Sequence, residues 1–159
     1  MTSQLLSGQE SRPVDAWIRL LRGHAGVRRS VSAQLQADHE LRVNEYEALL
    51  LLSQADNNHM RRVDLADSLQ LTPSGVTRLL DGLRERGFVD KAECSSDARV
   101  TYAVLLDAGA DKLREASCSH VAAIRALFEE RYSQPEIETL IELLGRLPGA
   151  GFPSSSHTV

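Results

Sequence analysis

The sequence predicts a mainly α-helical fold, and three observations carry that expectation. Leu, Ala and Val dominate the apolar content, while aromatic residues make up 4 % of the chain. Apolar side chains recur at i, i+3, i+4 and i+7 through most of the length. A single stretch rich in β-branched and aromatic residues, Val100-Thr101-Tyr102-Ala103-Val104-Leu105, interrupts that rhythm and reads as a strand.

Taken in order, residues 1–12 are polar and are expected to form an untied arm. A long helix follows over about 13–38, with Trp17, Leu20, Leu21, Val31 and Leu35 on one face. Gly23 and Gly26 each weaken it by roughly 1 kcal/mol relative to Ala, which points to a bend or a close helix contact. Asn44, with Glu47 three residues on, forms a capping-box-like start to a helix over 45–54. The cluster Ala55-Asp56-Asn57-Asn58-His59 reads as a turn.

A short helix over 62–69 and a better-defined one over 73–86 come next, joined by Gln70-Leu71-Thr72. About three residues is the link that a helix-turn-helix uses. Thr72 is a good N-cap, Pro73 suits the first helical position, and Gly87 sits where a helix ends in a left-handed turn. Val76, Leu79, Leu80 and Leu83 form the apolar stripe; Ser74, Arg78, Asp81 and Glu85 fall opposite it, with Thr77 at its edge. The first half of the outer face is therefore small, hydroxylic and basic, which suits entry into a DNA major groove. Beyond Gly87, residues 88–93 and 100–105 flank a polar, turn-forming segment containing Asp97 and Arg99. The pair makes a β-hairpin with an Arg close to its tip, and the expected architecture is a winged helix-turn-helix.

The run from Val63 to Ala110 resembles the MarR family of bacterial transcriptional regulators. The resemblance is carried by Leu65-Ala66, Thr72-Pro73-Ser74, Val76-Thr77-Arg78-Leu79, Leu83-x-Glu85-Arg86-Gly87, Asp97-x-Arg99 and Asp107-x-Gly109. Flanking helices matching the family's layout extend it to roughly 13–147, and Gly75 stands where the family often has a larger residue. The resemblance implies a sequence-specific DNA-binding regulator, by default a repressor. Thr72, Ser74, Gly75, Thr77 and Arg78 would face DNA from the recognition helix, and Asp97 would help position Arg99 near the minor groove.

The end of the chain supports a dimer. A second long helix is expected over about 107–132, with Leu113, Ala116, Ile124, Leu127 and Phe128 on its stripe. After a break at Ser133-Gln134-Pro135-Glu136, a last helix carries Ile137, Leu140, Ile141, Leu144 and Leu147. A small winged domain cannot cover all the terminal apolar faces, so a two-fold homodimer is expected. The domain layout is then an arm over 1–12, a helical dimerisation domain from 13–42 and 106–148, a winged helix-turn-helix over 43–105, and a Gly/Ser/Pro-rich flexible tail over 149–159.

His24 and Arg28 follow Trp17 near the centre of an apolar stripe, and His120 sits mid-stripe between Leu113 and Leu127. Ionisable groups there are costly unless paired or solvated. One explanation is a buried structural network. The other, in line with the small aromatic or anionic effectors of MarR-type proteins, is a pocket between the dimer helices and the winged domain, with Trp17, His24, Arg28, Tyr46 and His120 around it.

The net charge of −4 argues against indiscriminate nucleic-acid binding, but the acidity is unevenly placed. Basic and acidic residues balance to zero across 61–105, while 106–159 carries −3. Binding should therefore depend on geometry and a few placed arginines, and should fall steeply with salt. No apolar run approaches the ~18 residues of a membrane span, and the opening stretch lacks a charged-then-apolar leader pattern. Cys94 and Cys118 have no metal-ligand spacing and give no disulfide framework, so a reducing cytoplasm is the expected compartment. No metal site, cofactor or enzyme motif is expected. Two alternatives remain: a winged-helix protein-interaction module without DNA binding, and a cysteine-based redox-sensing regulator. Redox-sensing MarR relatives place their cysteine on the first helix, which has none here, and Cys94 on the wing is the better candidate.

Overall fold

The computed structural model describes residues 11–93, 97 and 99–150. Helix α1 spans Ser11–His39 and α2 Val43–Gln54; strand β1 covers His59–Arg61, α3 Arg62–Ser68 and α4 Pro73–Glu85. Strands β2 (Val89–Glu93) and β3 (Thr101–Leu105) follow, then α5 (Asp107–Glu129) and α6 (Gln134–Gly145). The mainly helical winged architecture is thus present. The chain divides into two compact units, Met1–His120 and Val121–Val159, and α5 runs from one into the other.

The core of the first unit is aliphatic. Leu35, Leu41, Leu49, Leu52, Leu65 and Leu83 are fully buried, with Val76 and Val89 beside them. The C-terminal half of α1 joins this core through Val31 and Leu35, whereas Val14, Trp17, Ile18 and Leu21 are exposed. Helix α1 is continuous, and neither Gly23 nor Gly26 meets a neighbouring element closely, so the close contact expected there is not found.

Two helices stop in one way. At the end of α4 the Gly87 N–H donates to the Arg84 carbonyl at 2.9 Å and the Phe88 N–H to the Leu83 carbonyl at 3.0 Å, with Gly87 at φ +74°. This paired closure needs one left-handed residue followed by an apolar one. In α3 the same role falls to Gln70 (φ +53°) with Leu71; α1 closes one residue wider, the left-handed Glu40 (φ +54°) donating to the Gln36 carbonyl at 3.1 Å and the buried Leu41 to the Leu35 carbonyl at 3.3 Å.

The sheet has three antiparallel strands in the order β1-β3-β2. Register in the wing pairs Val89 with Leu105, Lys91 with Ala103 and Glu93 with Thr101. Strand β1 pairs His59 with Val104 and Arg61 with Tyr102. The turn cluster expected at 55–59 is therefore shorter: a 3₁₀ turn at Asp56–Asn58, with Asn57 and Asn58 left-handed, delivers the chain straight into a strand. Three residues carry too little periodicity to be read from sequence.

The start of α2 is also corrected. The helix begins at Val43, and the Glu45 carboxylate accepts the Arg42 N–H at 2.8 Å. Asn44 and Glu47 cap nothing because both face Arg28 of α1, whose guanidinium donates to the Asn44 amide oxygen and, at 3.3 Å, to Glu47.

In the second unit, α6 opens with a capping box in which the Ser133 N–H and hydroxyl both donate to Glu136, at 2.8 and 2.7 Å. Helix α6 has no buried residue, and Ile141, Leu143, Leu144 and Leu147 are exposed.

Gly109 marks the tightest junction. A Cβ there would fall within contact distance of the Phe88 carbonyl oxygen and 2.9 Å from Leu105 Cδ1. Gly82, on α4, has open space around its Cα. Gly109→Ala is therefore expected to lower stability by about 1–3 kcal/mol through overpacking. Gly82→Ala should instead raise it by up to ~1 kcal/mol through helix propensity. Urea unfolding of the two variants beside the parent checks both signs.

Candidate DNA-binding interface

The recognition helix is set by its first turn. Thr72 stays extended (φ −68°, ψ 157°) and its hydroxyl oxygen accepts the Gly75 N–H at 3.1 Å, while Pro73 fills a position that has no N–H to satisfy. Val76 and Leu83 are buried and Leu79 and Leu80 pack on the core, which turns the opposite face outward. Ser74 and Arg78 are exposed on it.

The sequence-predicted side chains are not equally free. Thr72 is occupied as the cap. The Thr77 hydroxyl donates to the Pro73 carbonyl at 2.8 Å and lies 3.5 Å from an Arg62 nitrogen. Among the described residues Ser74 Oγ bonds to Thr72 Oγ1 alone, at 3.3 Å, and Arg78 Nε reaches its own helix at the Ser74 carbonyl, at 3.5 Å. Gly75 faces inward, where a Cβ would lie 3.1 Å from Thr72 Oγ1. Of these side chains, Ser74 and Arg78 are thus the ones least engaged by the chain itself.

On the wing, Asp97 Oδ1 accepts the Arg99 N–H at 2.9 Å and the Asp97 carbonyl accepts the Val100 N–H at 3.0 Å. Asp97 shapes the turn that carries Arg99, and both are exposed. Nearby cations are neutralised: Arg61 makes two bonds to Asp64, at 2.7 and 2.8 Å, and Arg84 lies 3.4 Å from Asp81.

The five residues expected around an effector are not gathered together. Trp17 is 57 % exposed and His24 is exposed, both on the N-terminal half of α1. Tyr46 and His120 are buried and in contact, ring centroids 4.5 Å apart. Their polar atoms go to neighbours: Tyr46 Oη to Ser117 Oγ at 3.1 Å, and His120 Nδ1 to the Gln34 side-chain oxygen at 3.4 Å. His39 joins the same cluster through Ser119 Oγ, at 2.6 Å. Of the five, Arg28 alone lines a cleft of about 740 Å³ between α1, the start of α2 and α4. Arg42, Glu45 and Arg86 also line it. Sequence reasoning missed them, since no local pattern brings residues forty positions apart to one wall. Arg86 lies 3.5 Å from Glu45 and stacks over the Phe88 ring at 4.8 Å.

No group of His, Cys, Asp and Glu among the described residues is arranged to hold a metal. Cys118 is exposed on α5, and Cys94 lies outside the described residues.

Residues 41–101 match the family model described as "MarR family". The transcriptional repressor YetL of Bacillus subtilis is 30 % identical over 111 residues, covering 70 % of this chain and 66 % of YetL. The chain thus spans just under two thirds of that relative. Among solved structures, the MarR family transcriptional regulator Sco3205 of Streptomyces coelicolor, in complex with DNA, superposes with a TM-score of 0.76 at 25 % identity. That match covers 88 % of this chain and 86 % of the other. AbsC, a MarR family transcriptional regulator from the same organism, gives a TM-score of 0.76 at 26 % identity, covering 89 % and 93 %.

Burial holds the His120 pKa below its usual 6.5; Glu47 opposes the shift and His39 adds to it. The folded state therefore prefers neutral His120, while the unfolded chain takes up its proton near pH 6.5. Stability should fall as the pH drops below that value, because the unfolded state then binds more protons. His120→Gln should flatten this part of the profile, as read from unfolding midpoints between pH 5 and 8.

Proposed function

The chain belongs to the MarR family, and on that premise we propose that it is a homodimeric, sequence-specific DNA-binding repressor released by a small amphipathic or anionic effector. The observation that carries this reading is the recognition helix. Its cap is complete, its apolar stripe is covered, Ser74 and Arg78 are exposed on its outer face, and on the wing Asp97 accepts the Arg99 N–H. Two such units related by a two-fold axis would meet successive major grooves about 10 base pairs apart. Dimerisation draws support from exposed apolar residues, Trp17, Ile18 and Leu21 on α1, Ile141 and Leu144 on α6, and Leu147 just beyond it. The named role of YetL supports repression. No described helix is long and apolar enough to cross a membrane, and a cytoplasmic location fits a regulator of this kind.

Charge distribution sets how the complex should behave. With most nearby arginines neutralised by carboxylates, few cations remain to release counterions from the duplex. In place of the steep fall expected from sequence, the salt dependence should therefore be moderate and traceable to single residues.

Sedimentation should give a dimer at micromolar concentration; a stable folded monomer would count against the assembly. A pseudo-palindromic duplex selected from a random pool should bind in a fluorescence anisotropy assay. Arg78→Ala and Arg99→Ala should each weaken it by roughly tenfold and lower the salt slope by about 1. Parental affinity in both variants, with the fold intact, would return the reading to a protein-interaction module.

A further inference from the structure

A second, smaller cleft lies between the recognition helix and the wing. It measures about 50 Å³ and is lined by Arg62 at the start of α3, by Thr77, Asp81 and Arg84 of α4, and by Lys91 and Thr101 of the wing strands. Pockets for drug-sized ligands run to ~300–1,000 Å³, so no such molecule fits here. A single charged group carried on a longer chain does.

The charges around the cleft differ in what already engages them. Arg84 lies 3.4 Å from Asp81, and the Asp90 carboxylate accepts the Lys91 N–H at 2.7 Å. Arg62 has no carboxylate within ion-pair distance among the described residues; its guanidinium lies 3.5 Å from Thr77 Oγ1. The Thr77 hydroxyl gives its hydrogen to the Pro73 carbonyl, so its oxygen is left to accept from Arg62. Half-buried Arg62 is thus steadied by a neutral partner and keeps its whole charge. The Lys91 ammonium lies 3.7 Å from Glu93, and both side chains are exposed. A pair of that kind is weak enough for a doubly hydrogen-bonded anion to displace.

Position identifies the anion. A helix in a major groove and a hairpin reaching the adjacent minor groove are separated by one sugar–phosphate strand, which must cross between the two protein elements. The cleft occupies that crossing, with α4 on one side and β2–β3 on the other. We propose that Arg62 and Lys91 clasp one phosphate of this strand, as a sequence-independent anchor that sets how α4 seats in the groove. The planar guanidinium pairs with two phosphate oxygens, and the ammonium adds a point charge from the wing side. This deepens the DNA-binding reading and rests on it. It separates two cations that position the duplex from Ser74 and Arg78, which face its bases.

Arg62→Gln and Lys91→Gln each remove one charge from the full-length protein, with cooperative melting as the check on folding. The selected operator and a scrambled duplex of the same length and composition are titrated by anisotropy across a salt series. Each variant should weaken both duplexes by the same factor, roughly tenfold, and leave the ratio of the two Kd values at its parental level. The salt slope should fall by about 1 in each. Operator phosphates are then replaced one at a time by neutral methylphosphonate. One position in each half-site should weaken the parent yet cost neither Arg62→Gln nor Lys91→Gln anything further. An unchanged salt slope in either folded variant would overturn the proposal. So would a shifted Kd ratio, which reports base reading, or losses that add at every substituted phosphate, which report a purely structural role for the side chain. If Arg62→Gln does not melt cooperatively, the exposed Lys91 carries the same test alone. Each overturning result leaves DNA recognition standing. Failure of the parent to bind any duplex instead removes the DNA-binding reading and the anchor with it.

Discussion

The backbone of Phe88 is the junction on which the winged unit depends. Its N–H closes α4 on the Leu83 carbonyl, and its carbonyl accepts the Leu106 N–H one residue before α5 begins. Gly109 has no side chain at the point where α5 passes that carbonyl, and the Phe88 ring lies under the Arg86 guanidinium. One residue thus ties together the end of the recognition helix, the entry to the wing and the start of α5. Helix α4 and strand β2 diverge from this junction, which sets where the recognition helix stands relative to the base of the wing.

The legible parts of this fold are those where one residue type is uniquely suited to its conformation. Gly87 marked the end of α4 because glycine meets a left-handed position at no steric cost. The ends of α1 and α3 also turn on a left-handed residue, yet Glu40 and Gln70 hold that position, and neither side chain signals such a turn. Thr72 and Pro73 announced the start of α4, and Ser133 with Glu136 the start of α6. Asn44 and Glu47 imitated a cap whose groups are in fact claimed by Arg28 from another helix. A cap can be read from its own few residues, whereas a competing tertiary partner cannot. The cleft was illegible for the same reason: its charge balance depends on pairs such as Glu45 with Arg86, which only the fold creates.

A charge count over 61–105 gives zero, which understates what the surface presents. Carboxylates there are spent largely on neighbours: Asp64 on Arg61, Asp81 on Arg84, Asp97 on the backbone beneath Arg99. Exposed pairs of this kind contribute little stability, and their consequence is local cancellation of the field. Cations outside such pairs then matter more than the sum suggests.

Helix α6 has twelve residues and none is buried; only Ile137 and Leu140 are partly covered. A helix of that length is marginal in water by itself, and its capping box secures only one end. Whatever covers Ile141, Leu144 and Leu147 supplies most of its stability. If that cover is a second copy, order at this end becomes a function of how many copies the cell holds, by mass action. Fraying of this last helix would then track the concentration of the chain, as association itself does.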